Sequence, residues 1–269
     1  MKKQWTKSVA AQWGLFLPPA RPSLSELAYI ERLLLQSKSK KKNFKVAVMG
    51  STPEYRDLCQ TTNTDYKCID YSEKNFIELR QYQLHKDDNS HLLVSDWREM
   101  KFKEKFDLFI GDLFTCVTPI DDHERLYQNI QGHCNPGAKI VIKVPLRENN
   151  HCLDHKKIFQ HYRKKLSYLN PFSAVWREVL LADYDFMADT MHCQTSSAAL
   201  KQSYKAGIIT AYEYGEFKKR WDVLGNFKMN IPLRKDFLRT LKKYFAIEKV
   251  VVGSDWYAQN IPIIVVKKI

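Results

Sequence analysis

The chain has 269 residues, 44% of them hydrophobic, and a formal net charge of +13. That length fits one large core, or one core with a modest accessory layer, and the charge suits anionic partners without choosing among them. No stretch approaches the roughly 18–20 uninterrupted apolar residues of a membrane span, and the start of the chain lacks the apolar block of a secretory signal, so a soluble, cytoplasmic protein is expected.

In chain order, Trp13 to Pro22 is too rich in proline for a helix and too apolar for a solvated tail. It is expected to pack onto the body, either as a lid over a ligand cleft or against outer helices. From Ser23 to Gln36, Leu24, Leu27, Ile30, Leu33 and Leu34 recur at helical spacing behind a Ser23-x-x-Glu26 capping box. Residues 1–43 therefore read as an N-terminal lid and helix. From 44 to 144, short apolar β-rich runs alternate with helical stretches, the pattern of a parallel sheet covered by helices. The strands fall at Phe44 to Met49, Tyr66 to Ile69, Leu92 to Val94, Phe106 to Ile110 and Ala138 to Val144, the last after Asn135-Pro136-Gly137. Asn75 to Leu84 and His123 to Cys134 are the clearest helices between them. Residues 145–243 turn helical and aromatic, with helices predicted over His155 to Leu166, Trp176 to Leu181 and Ala211 to Trp221. This segment exceeds what one crossover needs and is expected to cap the strand ends. Residues 244–269 hold two β runs, Phe245 to Val252 and Ile261 to Val266, close enough to pair. The fold class is a Rossmann-like α/β sheet with helices on both faces and a helical insertion before the last strand pair.

The positions that carry chemistry each follow a predicted strand. In an open α/β sheet, ligands sit in the crevice beyond the carboxyl ends of the strands, so these positions converge in space. After the first strand, Gly50 permits close backbone approach, Ser51 and Thr52 lead into a helix that Pro53 can open, and Glu54 places charge in its first turn. After the second, Asp70-Tyr71-Ser72 offers a carboxylate able to accept from both hydroxyls of a ribose. After the third, Asp96-Trp97 sets an acceptor beside an aromatic plane. After the fourth, Gly111-Asp112-Leu113 lies where a reacting group would sit.

Taken together, Gly50, Asp70, Asp96, the run from Phe106 to Asp112 and Asn135-Pro136-Gly137 resemble the successive motifs of class I S-adenosylmethionine-dependent methyltransferases. The resemblance covers Phe44 to Val144, and the closing strand pair extends it. It implies a seven-stranded sheet with its last strand inserted antiparallel, and S-adenosylmethionine as cofactor. It also implies that Gly50 approaches the methionine moiety, Asp70 holds the ribose, Asp96 and Trp97 meet the adenine, and Asp112 faces the amino-acid end or the methyl acceptor. The first motif departs from the glycine-rich pattern, because Ser51-Thr52-Pro53-Glu54 stands where later glycines would be. It looks like the Gly-x-Thr-Pro-Glu variant of some small methyltransferases.

Asp112 and His192 are candidate bases, and Trp13, Tyr204 and Trp221 candidate contacts to the acceptor, with core packing as the competing reading of the aromatics. A small-molecule acceptor suits the long aromatic insertion, since such a cap can enclose a ligand. Two rival readings are an RNA or nucleotide methyltransferase, motivated by the charge and by tracts such as Lys218-Lys219-Arg220, and a non-catalytic nucleoside-binding module. Asp112-Leu113-Phe114-Thr115 lacks the Pro-Pro-aromatic sequence of amino-directed base methyltransferases. Six cysteines without a Cys-x-x-Cys pair read as free thiols, and neither Asp121-Asp122-His123-Glu124 nor His151-Cys152-x-x-His155 completes a metal set, so no metal is expected.

Overall fold

A computed structural model describes residues 7–269; the first six residues of the expected N-terminal lid lie outside them. The chain opens with a short helix, α1 (Lys7–Ala11), and then α2 (Leu24–Lys38), whose predicted capping box is complete: Ser23 and Glu26 each bond the other's backbone N–H. Five strands follow: β1 (Lys45–Met49), β2 (Asp65–Asp70), β3 (Leu92–Val94), β4 (Phe106–Asp112) and β5 (Cys134–Lys143). Helices α3 (Pro53–Thr61), α4 (Glu73–Leu79) and α5 (His123–Gly132) lie between them. The insertion supplies α6 (His155–His161), α7 (Pro171–Ala182), α8 (Cys193–Lys205), α9 (Ala211–Leu224) and α10 (Arg234–Lys242), with a two-stranded ribbon of β6 (Met191–His192) and β7 (Lys228–Met229). β8 (Phe245–Val251) and β9 (Ile263–Lys268) close the chain.

The seven strands of the main sheet run in the order β3-β2-β1-β4-β5-β9-β8. β1 pairs in parallel with both β2 and β4, so the strand order reverses between β1 and β4, where an α/β sheet opens its crevice. β9 inserts antiparallel between β5 and β8, as the resemblance implied. Central strands buried on both faces read as continuous apolar runs, which is why they were legible.

The insertion differs in detail from its sequence pattern. The helix expected over His155 to Leu166 keeps α geometry to His161 and then widens into a π turn over Tyr162–Leu166. The one expected from Trp176 begins earlier, at Pro171 behind an Asn170 cap, and kinks at Val175. Helices α8 and α10 had no predicted counterpart; α10 has few apolar residues, and Phe237 and Leu241 alone are buried along it. The strand expected from Ala138 starts at Cys134, because Asn135-Pro136-Gly137 forms a bulge within β5 rather than a turn before it, with Gly137 at φ +74°.

Three buried clusters account for the packing. Two cover the faces of the sheet, and the third joins Trp13 and Phe16 to Trp176, Phe217 and Trp221 of the insertion. The N-terminal segment therefore packs with the cap over the strand ends and also on Leu79 of α4, while Tyr82 Oη donates to Ala11 O. No described helix is long and apolar enough to cross a membrane.

Candidate functional site

The carboxyl ends of β1, β2 and β4 open into one cavity, roofed by the N-terminal segment and by α7 and α9. The cavity volume is about 100 Å³, a narrow cleft between these walls. At the end of β1, Gly50 adopts φ +90°, a conformation that side-chain-bearing residues rarely take, and its N–H donates to Ile69 O at 2.8 Å. The chain then turns so that Ser51 Oγ donates to Asp70 Oδ2 at 2.7 Å, while Ser72 N–H donates to Asp70 Oδ1 at 2.9 Å. Pro53 opens α3 at its first position, as its sequence place predicts. Leu113, directly after β4, holds φ +55°, a strained value for a branched residue, and so aims the chain into the cavity wall.

Gly50, Ser51, Thr52, Asp70, Tyr71, Trp97, Asp112, Leu113 and Trp13 all line this cavity. Gly111 sits beneath it: a Cβ there would lie 2.5 Å from the Phe114 ring and 2.9 Å from Met49 Cβ, so its role is packing. Glu54 stands behind the wall, accepting from Trp13 Nε1 at 3.2 Å and pairing with Arg21. Ser72 caps α4 and serves Asp70 through its backbone. Asp96 turns away to Arg98, at 2.6 Å. His192 belongs to the small ribbon opposite Lys228, Tyr204 stacks on Tyr214 at 4.9 Å, and Trp221 is buried edge-on against Phe172 and Phe217. None of these three is part of the cavity wall.

Several wall and support residues were missed in the sequence. Phe16, Phe114, Trp176, Phe227 and Met229 complete the apolar lining. Lys143, at the end of β5, is fully buried and bonds Glu26 Oε2 at 2.9 Å and Arg21 O at 3.0 Å, with Asp112 Oδ1 at 3.2 Å. A lone lysine within Ile140-Val141-Ile142-Lys143-Val144 was the available signal. The N-terminal segment is held down by distant donors as well: Arg220 Nε donates to Leu15 O at 2.7 Å, and Ser173 Oγ to Pro18 O.

Burial pushes the Asp70 carboxyl up to about 6, against the hydrogen bonds from Ser51 and the Ser72 and Tyr71 backbone. Burial likewise pushes Asp112 up to about 7, opposed by Lys143 and reinforced by Glu26. Burial alone would lower Lys143, yet Asp112 and Glu26 together hold its ammonium above the ordinary range. Two acids and one cation thus compete for protons behind the cavity floor.

The expected basic tract is largely spent on structure. Lys218 pairs with Asp222 and Lys219 with Glu216, while Arg220 is buried over the Phe172 ring at 4.3 Å. Among the described residues no three His, Cys, Asp or Glu side chains gather as metal ligands. His155 instead meets Ser203 Oγ at 2.8 Å and Asp183 at 3.3 Å.

No family model matches the sequence, and no curated protein does. Solved structures do match the fold. The CcbJ methyltransferase from Streptomyces caelestis superposes with a TM-score of 0.61 at 8% identity, covering 99% of both chains. A protein from Rhodobacter sphaeroides described as a putative zinc-dependent alcohol dehydrogenase gives 0.56 at 15% identity over 98% of this chain and 99% of its own. The glycopeptide N-methyltransferase MtfA, in complex with S-adenosyl-L-homocysteine, gives 0.50 at 10% identity over 89% of this chain and 88% of its own. At such identities the likeness speaks to architecture, and the sheet order, the inserted antiparallel strand and the crevice agree with it. The chain has the fold of class I S-adenosylmethionine-dependent methyltransferases.

Proposed function

We propose that the protein is an S-adenosylmethionine-dependent methyltransferase acting on a small molecule enclosed between the strand ends and the helical cap. The observation that carries this reading is Asp70, a buried carboxylate facing a largely aromatic cavity at the strand-order reversal. Its described hydrogen bonds come from neutral donors, and no ion pair to it occurs among the described residues. Such an acid is suited to accept from a pair of ribose hydroxyls. The other residues fit the same cofactor: Trp97 and Tyr71 flank the Asp70 turn as planes for a purine, while Gly50, Ser51 and Thr52 leave backbone room for the methionine tail. Trp97, fixed by its Nε1 bond to Ile69 O, carries the adenine side in place of Asp96.

When bound, the cofactor supplies an activated methyl group on its sulfonium. The protein's own share is positioning and exclusion of water. Trp13, Phe16, Trp176 and Phe227 shield part of the cavity from solvent, and Asp112 stands where a proton can be held. Among the described residues no lysine or arginine belongs to the wall, which favours a small acceptor over nucleic acid despite the net charge of +13. All six cysteines are free, five of them buried, which supports a cytoplasmic setting.

Incubation with methyl-labelled S-adenosylmethionine and a cell extract, followed by size fractionation, tests the proposal. Label in the small-molecule fraction is expected. Label confined to RNA, or no transfer at all, would contradict it.

A further inference from the structure

The charge around the cavity runs opposite to that of the whole molecule. Among the described residues, the only charged members of its wall are Asp70 and Asp112. Behind Asp112, the side chains of Glu26, Lys143 and Asp112 are each more than nine-tenths buried and form a chain of two carboxylates about one ammonium. With both acids ionised, this group is one positive charge short of neutrality, a costly state inside a protein. The Lys143 ammonium sits 3.2 Å from Asp112 Oδ1 and is shared with Glu26 Oε2 at 2.9 Å and Arg21 O at 3.0 Å, so Asp112 has only part of one cation. The surrounding titratable groups do not make up the deficit. Glu54 adds a further acid whose partner Arg21 it engages, and Tyr55, Tyr257 and Cys116 are neutral under burial.

Among the described residues, the cap's share of the same wall is apolar: Trp176, Leu224, Phe227 and Met229, with Val117 from the segment after β4. A carboxylate short of a cation, faced by aromatic rings, recognises an ammonium group on an apolar body. We propose that the methyl acceptor is a small apolar amine whose nitrogen docks on Asp112. This inference rests on the methyltransferase reading above. The ammonium first passes one proton to the Asp112 carboxylate, giving a free amine and a buried neutral acid, the form that burial favours. The nitrogen lone pair then forms the new N–C bond as the C–S bond breaks, and that bonding pair leaves on sulfur as a neutral thioether.

The test uses the full chain saturated with S-adenosylhomocysteine. Matched amine, alcohol and carboxylate probes on benzyl, phenethyl, indolylethyl and naphthylmethyl bodies are ranked by thermal shift and titrated. In at least one trio the amine should bind about tenfold or more tightly than its alcohol and carboxylate. In Asp112→Asn the preference should shrink below about threefold. Should that variant not fold, the wild-type amine affinity serves instead: it should fall from about pH 8 to about pH 6 while the alcohol's stays flat. The inference is overturned if no amine outranks its partners, or if the preference survives in Asp112→Asn. It is also overturned if the preference appears only without S-adenosylhomocysteine, since the cluster would then serve the cofactor's own ammonium. Failure of S-adenosylhomocysteine to bind at all would instead remove the methyltransferase reading beneath it.

Discussion

The strand-end wall of the cavity carries Ser51, Thr52, Asp70 and Asp112 at the ends of parallel strands, whereas the cap wall carries Trp176 and Leu224 on α7 and α9, Phe227 after α9 and Met229 on β7, within the cap's own core. Polar groups on the first wall are placed by strand register, because β1 aligns Met49 beside both Ile69 of β2 and Gly111 of β4. The second wall is placed mainly by side-chain packing, with Met229 also held by its ribbon pairing to Met191. The contrast implies a division of labour, in which changes to the cap alter what is bound beside the cofactor and leave the cofactor's own contacts in place.

The largest expected effect probes the buried support of the strand-end wall. Lys143→Met leaves Glu26 and Asp112 as buried acids without their cation, which should cost about 3–5 kcal/mol in denaturant unfolding. Adding Asp112→Asn to that variant should recover part of the loss; equal destabilisation of the single and double variants would show that the cluster is not coupled. On the cap side, Trp176→Ala empties a fully buried position and should cost about 3–5 kcal/mol as well. Its informative readout is different: affinity for S-adenosylhomocysteine should change by less than about threefold while acceptor KM rises tenfold or more. A parallel loss of cofactor affinity would erase the division between the walls.

A smaller effect comes from pH. Asp112 has its carboxyl raised to about 7 and Asp70 to about 6, so each favours the folded state most when protonated. That contribution is complete below the unfolded carboxyl range near 4, and it is lost as pH rises through about 6 to 7. Asp112→Asn should flatten this fall by at most about 4 kcal/mol, measured as unfolding free energy against pH. A steeper fall in the variant would reverse the assignment. The smallest effect is expected at the surface. Replacing Lys218 and Lys219 by Gln removes two surface ion pairs and should leave the denaturation midpoint and cofactor affinity essentially unchanged, as unfolding and titration would show.

The same division explains what the sequence disclosed. Strand-end positions were legible because strands of β-branched and apolar residues end at Gly50, Asp70 and Asp112, and topology then gathers them. Lys143 and Glu26 were not, since one sits inside an apolar strand and the other had already been explained as half of a capping box. In the cap, aromatic residues at helical spacing do not say which ring faces a cavity. Trp176 does, while Trp221, one helix away, fills the core. His192 carried the right chemistry by type, but in the ribbon it pairs with Lys228, and Met229 rather than His192 reaches the cavity wall. The expected fifth strand began only at Ala138 because proline and glycine favour strand ends as well as the bulge that Asn135-Pro136-Gly137 forms here.

The central claim is that the strand ends bind the cofactor through Asp70, and calorimetric titration with S-adenosylhomocysteine tests it most directly. Wild-type protein should bind, and Asp70→Ala, with unchanged folding by circular dichroism, should bind at least about tenfold more weakly, a loss of about 1.4 kcal/mol or more. Absence of binding in the wild type, or equal binding in both, would contradict the account.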